Sequence, residues 1–145
     1  MHLPVIREIT PVDAGAATNL SAELGYPVHP DDMRQRIQSF LKMPDHMVYV
    51  ACLADEVVGW IDAGIVHHLQ AESRAEIGGL VVSSVARSQG IGRLLVERGE
   101  QWARQKGLGS IVVRSQIIRD DAHRFYLREG YQRTKTSAVF TKHLV

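Results

Sequence analysis

Apolar and polar positions along the chain change period repeatedly, and each change marks an element. Val5 to Ile9 is an apolar, β-branched run of strand length. Thr10-Pro11-Val12-Asp13 then supplies a helix start, with Thr10 as N-cap, Pro11 in the first turn and an acidic side chain three residues on. A helix to about Leu24 is expected, then a turn over 25–30. Asp31 and Asp32 suit the positive end of a second helix that puts Met33, Ile37, Phe40 and Leu41 on one face and stops at Pro44-Asp45. Met47 to Leu53 and Val57 to Val66 are strand-type runs at hairpin spacing. The polar stretch His67 to Ala75 reads as a connection to a strand from Glu76 to Val82. After a loop over 83–89, Ile91, Leu94, Leu95 and Trp102 recur at helical intervals until Gly107. A strand at Ser110 to Ser115 follows, then a short helix from about Asp121 to Glu129 with Ala122, Phe125 and Tyr126 on one face. Tyr131 to Thr134 and Ala138 to Leu144 read as final strands. The order β-αα-ββ-β-α-β-α-β-β has no repeat, linker or composition break, so it predicts one α/β (α+β) domain over 1–145.

Composition narrows the class. The 145 residues are 45% hydrophobic and 23% charged, which excludes disordered and collagen-like chains. One cysteine, Cys52, forms no internal disulfide, and Met1-His2-Leu3-Pro4 does not open a leader, so a reducing, cytoplasmic setting is expected. No apolar run approaches the roughly 18–20 residues that span a bilayer, so no membrane partner is expected. The net charge of +1 conceals a split: residues 1–84 hold 5 Lys/Arg against 11 Asp/Glu, and residues 85–135 hold 11 against 5. Without a basic stretch interleaved with aromatics, a nucleic-acid partner is not expected. His67 and His68 would point to opposite faces of a strand, and His2, His29, His46, His123 and His143 are scattered without ligand spacing, so no metal site is expected. Ser83-Ser84 lacks the glycine frame of a nucleophile elbow.

Arg87-Ser88-Gln89-Gly90-Ile91-Gly92 sits between a strand-type run and a helical one. A helix N-terminus leaves backbone N–H groups without partners and is positive outward, so it can hold phosphate, and glycine permits close approach. Gly92 is followed by Arg93-Leu94 rather than Lys-Ser/Thr, which removes a Walker loop. Leu95 stands where a dinucleotide fingerprint needs a small residue. A glycine-rich helix start with no ligand remains open on these residues alone.

Two motifs in order on matching elements carry a resemblance. Arg87-x-x-Gly90-x-Gly92 after the strand at 76–82, and Ala122-His-Arg-Phe125-Tyr126-Leu-Arg-Glu-Gly130-Tyr131, resemble the signatures of the GNAT superfamily of N-acetyltransferases. The element order is similar over nearly the whole chain. The resemblance implies a central mixed, mostly antiparallel sheet, splayed between strands 76–82 and 110–115, with acetyl-CoA as co-substrate in the opening. The backbone of Leu80, Val81 and Val82 would hold the pantetheine as an added strand holds its neighbour. The N–H groups of Ser88, Gln89, Gly90, Ile91, Gly92 and Arg93, with Arg87, would meet the pyrophosphate. Ser115, Arg119, Ala122 and Phe125 would complete the cofactor side, although the family's Asn is missing at 115–116. Gly78 and Gly79 imply either a bulge or relief under a neighbouring aromatic.

The same resemblance implies Tyr126 as the acid that protonates the leaving thiolate, against a packing role beside Ala122 and Phe125. Glu76 would draw the amine's proton, against a strand-end glutamate in solvent. A backbone N–H near Val81 would donate to the oxyanion. The acceptor end would comprise Tyr26, His29, Asp31, Asp32, Trp60, Asp62 and the 67–75 loop, and its acidity favours a small cationic amine. A protein N-terminus or lysine as acceptor, or a non-catalytic acyl-CoA-binding or regulatory module, are the alternatives. Relatives often pair as homodimers, and the apolar final strand is the segment that would pair.

Overall fold

The computed structural model describes residues 3–116 and 119–145, so His2 and the first two residues of the expected N-terminus lie outside the described residues. The chain falls into two compact units, divided between Val113 and Arg114. In the first, five strands form one sheet in chain order: β1 (Val5–Glu8), β2 (His46–Leu53), β3 (Glu56–His68), β4 (Ala71–Val82) and β5 (Ile111–Val113). β1 to β4 pair antiparallel and β5 pairs parallel to β4, which is the mixed sheet expected.

Side-chain alternation sorts the core onto the two faces. Val48, Val50 and Cys52 pack with Ala14 and Ala17 of α1 (Ala14–Glu23) and Ile37 of α2 (Pro30–Leu41). Met47, Ala51, Ile61 and Ala63 pack with Ile91, Leu95 and Trp102 of α3 (Ile91–Gln105). The β2–β3 turn places Ala54 and Asp55 at φ of 51° and 67°, a pair of left-handed residues that matches the twist of a tight hairpin.

Three sequence expectations are corrected. Residues 67–75 are not a loop: β3 and β4 run on as one long hairpin, with Val66 opposite Arg74 and His68 opposite Ala71. Its outer end exposes polar side chains while the backbone stays paired, so composition there resembles a connection. α2 begins at Pro30, capped by the His29 ring, whose Nδ1 accepts from the Asp31 N–H at 3.1 Å. Residues 131–145 contain no strand, and Val139 and Phe140 are 83% and 93% exposed. The apolar pattern was present, but a strand also needs a partner's backbone, which local pattern does not supply. In the second unit α4 (Asp120–Arg128) is the regular element among the described residues.

The start of α1 is tied to β1. Arg7 donates to both oxygens of Asp13 at 2.8 and 2.9 Å, and the Thr10 N–H donates at 2.8 Å. The Arg7 contact, helped by the Thr10 amide, holds the Asp13 carboxyl below the usual carboxylate range despite its burial. A carboxylate with a depressed folded pKa adds stability above its unfolded pKa and loses it as the pH falls through the lower folded value. Asp13→Asn should therefore cost about 1–2 kcal/mol at pH 7, discounted because the Arg7 side chain is 41% exposed. The difference should shrink as the pH falls below about 4, which urea melts at pH 7 and pH 3 would measure.

Candidate active site

β4 and β5 pair only at Ala75–Ile111, Glu76–Val112 and Ile77–Val113, whereas β4 continues to Val82 against β3. Past Ile77, the other edge of β4 has no strand partner among the described residues. That edge offers Leu80, Val81 and Val82 the main-chain groups an extended ligand needs. A bulge precedes it: Asp62 pairs with Gly79 and Ala63 with Ile77, leaving Gly78 as the extra residue. Both readings of the glycine pair hold, because an added Cβ at Gly79 would lie 2.7 Å from the Trp60 ring. The bulge also shifts the alternation, so Ala75 and Ile77 before it, and Leu80 and Val82 after it, all pack toward α3.

After β4, a 3-10 turn at Ser84–Ala86 buries Ala86 and leaves Arg87, Ser88, Gln89 and Gly90 exposed. Ser84 Oγ donates to Glu23 Oε1 at 2.8 Å, which fastens this turn to the end of α1. Ser88 and Gly90 take φ of 67° and 78°, and Gly90 begins α3 with no side chain capping it. The first-turn amides therefore remain for a ligand, and buried Ile91 anchors them from beneath. Gly92 is half-buried, and Arg93 pairs with Glu97 at 3.1 Å. An open strand edge thus leads directly to an uncapped helix start.

The face of the sheet toward α1 and α2 carries the acidic groups. Glu76 stands opposite Gly64, which also faces His46 across β2. It lies inside β4 rather than at the strand's beginning, so the strand-end reading is corrected. Asp62 sits one row away beside the bulge. Burial pushes its carboxyl up to about 6, against the opposing effects of His46 and the Gly79 amide. Trp60 Nε1 is buried without a partner. Asp31 and Asp32 are exposed in the first turn of α2, and Tyr26 is exposed before it. The sequence signal for Asp62 was one charge inside an apolar strand run, which says nothing of its burial.

In the second unit, Ser115 Oγ is buried without a partner, and Arg119 is exposed just before α4. Ala122 and Phe125 are half-buried on α4. The Tyr126 ring meets Phe125 edge-on at 5.2 Å and Tyr131 at 5.7 Å. Burial raises the Tyr126 phenol's pKa and Arg119 opposes that, so the hydroxyl keeps its proton at neutral pH. His123 donates from Nε2 to the Gln116 carbonyl at 2.9 Å. Among the described residues, no three His, Cys, Asp or Glu side chains gather as a metal site would require, and no helix is long and apolar enough to cross a membrane.

The fold is a mixed sheet open beside its fourth strand, followed by a helix start with no side-chain cap. Residues 15–131 match the family model described as acetyltransferase (GNAT) family. The chain is 45% identical over 80 residues to the aminoalkylphosphonate N-acetyltransferase of Salmonella typhimurium, covering 54% of this chain and 52%, about half, of that protein. It is 28% identical over 142 residues to an aminoglycoside N(6')-acetyltransferase type 1 of Stenotrophomonas maltophilia, covering 94% and 92%. Its fold is similar to that of a solved aminoglycoside N-acetyltransferase in complex with CoA, with TM-score 0.88 at 15% identity over 98% and 96% of the two chains. The chain belongs to the GNAT acetyltransferase family, as its two motifs implied.

Proposed function

We propose that the chain, as one domain over 1–145, transfers the acetyl group of acetyl-CoA to a primary amine of a small cationic molecule, by direct attack in a ternary complex. The observation that carries this reading is the early end of the β4–β5 pairing at Ile77–Val113, which leaves the β4 edge free just before the uncapped start of α3. Leu80, Val81 and Val82 would bind the pantetheine, and residues 87–93 the phosphates, with Ser115, Arg119, Ala122 and Phe125 on the cofactor side. When bound, acetyl-CoA supplies the activated thioester carbonyl. A backbone N–H near Val81 stabilises the charge on that carbonyl oxygen. The amine's proton leaves by the acidic face on which Glu76 stands, and Tyr126 donates a proton to the departing thiolate.

Support for a small acceptor comes from the relatives, whose names specify aminoalkylphosphonates and aminoglycosides. Support for a cationic one comes from the excess of Asp and Glu in residues 1–84, the part that forms α1, α2 and the acidic face. A homodimer belongs to the same proposal.

Acetyl-CoA offered with a panel of aminoglycosides, polyamines, aminoalkylphosphonates and lysine peptides, read by thiol release, tests the proposal. Release with a small cationic amine is the expected result. CoA binding without release from any amine would instead establish a binding module, and release with peptides alone a protein acetyltransferase.

A further inference from the structure

Two carboxylates in the first unit, Asp13 buried and Asp62 half-buried, are treated in opposite ways. Asp13 has Arg7 in two-point contact and a lowered pKa, as a structural carboxylate should. Asp62 has no lysine or arginine paired with it among the described residues, and a half-buried carboxylate in that condition costs some stability. The fold nevertheless makes room for it. A Cβ at Gly78 would lie 2.6 Å from Asp62 Oδ2, and one at Gly79 would lie 3.1 Å from Oδ1. The bulge therefore places two glycines where a side chain would displace the carboxylate. The Gly79 amide donates to it, fixing its direction. Two residues before it on the same face, the Trp60 indole lies over Gly79, an aromatic wall of the sort that attracts a cation. A negative group, a π face and a backbone floor together match an ammonium, and among the described residues no lysine or arginine pairs there.

We propose that Asp62 is the residue that binds the acceptor's ammonium group and takes its proton, with the Trp60 indole flanking the cation and Glu76 serving in the proton's onward passage to water. The step balances without another reactant. One N–H bond of the ammonium breaks with its electron pair staying on nitrogen, an O–H bond forms on Asp62, and the proton then leaves to solvent. The neutral amine holds the lone pair that attack requires. This deepens the amine-acetylating reading and rests on it.

The charged groups around Asp62 are few. β2 contributes His46, which is 3.4 Å from Asp45; β4 contributes Glu76 and Arg74 on the same face; and α1 has only Glu23, engaged by Ser84 at its end. With burial placing the Asp62 carboxyl near 6, the ionised form needed to accept a proton develops between about pH 5 and 7.

The test compares wild type, Asp62→Asn and Glu76→Gln with the amine that the panel identifies, recording kcat/KM from pH 5 to 9, CoA affinity and melting temperature at pH 7.5. In wild type, kcat/KM should rise along a limb governed by a group near 6. Asp62→Asn should abolish that limb and lower kcat/KM about 100-fold at pH 7.5. Its CoA affinity should be unchanged, and its melting temperature no lower than wild type, because a half-buried charge without a cationic partner has been removed. Glu76→Gln should retain the limb, whatever its rate. Retention of the limb in Asp62→Asn, or its loss in Glu76→Gln instead, overturns the proposal while leaving the amine reading intact. A large fall in melting temperature together with lost CoA binding in Asp62→Asn would make the residue structural and also overturns it. If wild type turns over no amine, the parent reading fails, and this inference with it.

Discussion

Tyr126→Phe is expected to lower kcat about 100-fold, equivalent to about 2.7 kcal/mol of barrier, while CoA binds within about twofold of wild type. The change removes one hydroxyl and leaves the ring that meets Phe125 at 5.2 Å and Tyr131 at 5.7 Å, so α4 keeps its packing. The phenol's pKa is raised by burial, with Arg119 acting against it, and the proton is therefore present at neutral pH and available to a thiolate. A leaving group that must depart unprotonated raises the barrier, and that loss falls on kcat rather than on affinity. Steady-state thiol release and calorimetric CoA titration measure the two separately. Full turnover by the Phe variant would assign Tyr126 to packing alone.

Leu95→Ala should destabilise the protein by about 3 kcal/mol and lower its melting temperature by about 10 °C. Leu95 is completely buried at the centre of the α3 face, among Ile61, Ala63, Ile91 and Trp102. Its Cδ1 would lie 3.2 Å from a Cβ built on Gly59, so the helix packs directly against the backbone of β3 there. The neighbours are held by two strands and cannot collapse into the space, which is the condition under which a cavity keeps its full cost. Calorimetry checks the shift, and a change of under about 1 kcal/mol would mean the core relaxes around the deletion.

Much of the site was legible because its signals are local. Gly90 and Gly92 after a β-type run marked a helix start, and the structure shows Gly90 left-handed and uncapped at that place. Gly78 and Gly79 marked a departure from regular pairing, and the bulge lies there. Asp62 was visible only as one acidic residue in an acceptor-side group, since its surroundings depend on the β4 bulge that sets Gly78 and Gly79 against it. The 67–75 stretch misled because exposed polar side chains resemble a loop even when the backbone beneath them is paired. The end of the chain misled in the opposite direction, since the apolar residues within 138–144 form no strand here.

The sequence by itself determined the element order from β1 to α4, the alternation that sends β-sheet residues to two faces, the family and the helix start suited to phosphate. These depend on neighbours within a few residues, where periodicity and glycine placement act directly. Only the tertiary structure decided where β4 parts from β5, which glycine forms the bulge, and that Asp62 is half-buried without a cationic partner among the described residues while Asp13 is buried against Arg7. Those properties depend on strands and helices distant in the chain, because the charge state of a carboxylate follows from what surrounds it in space.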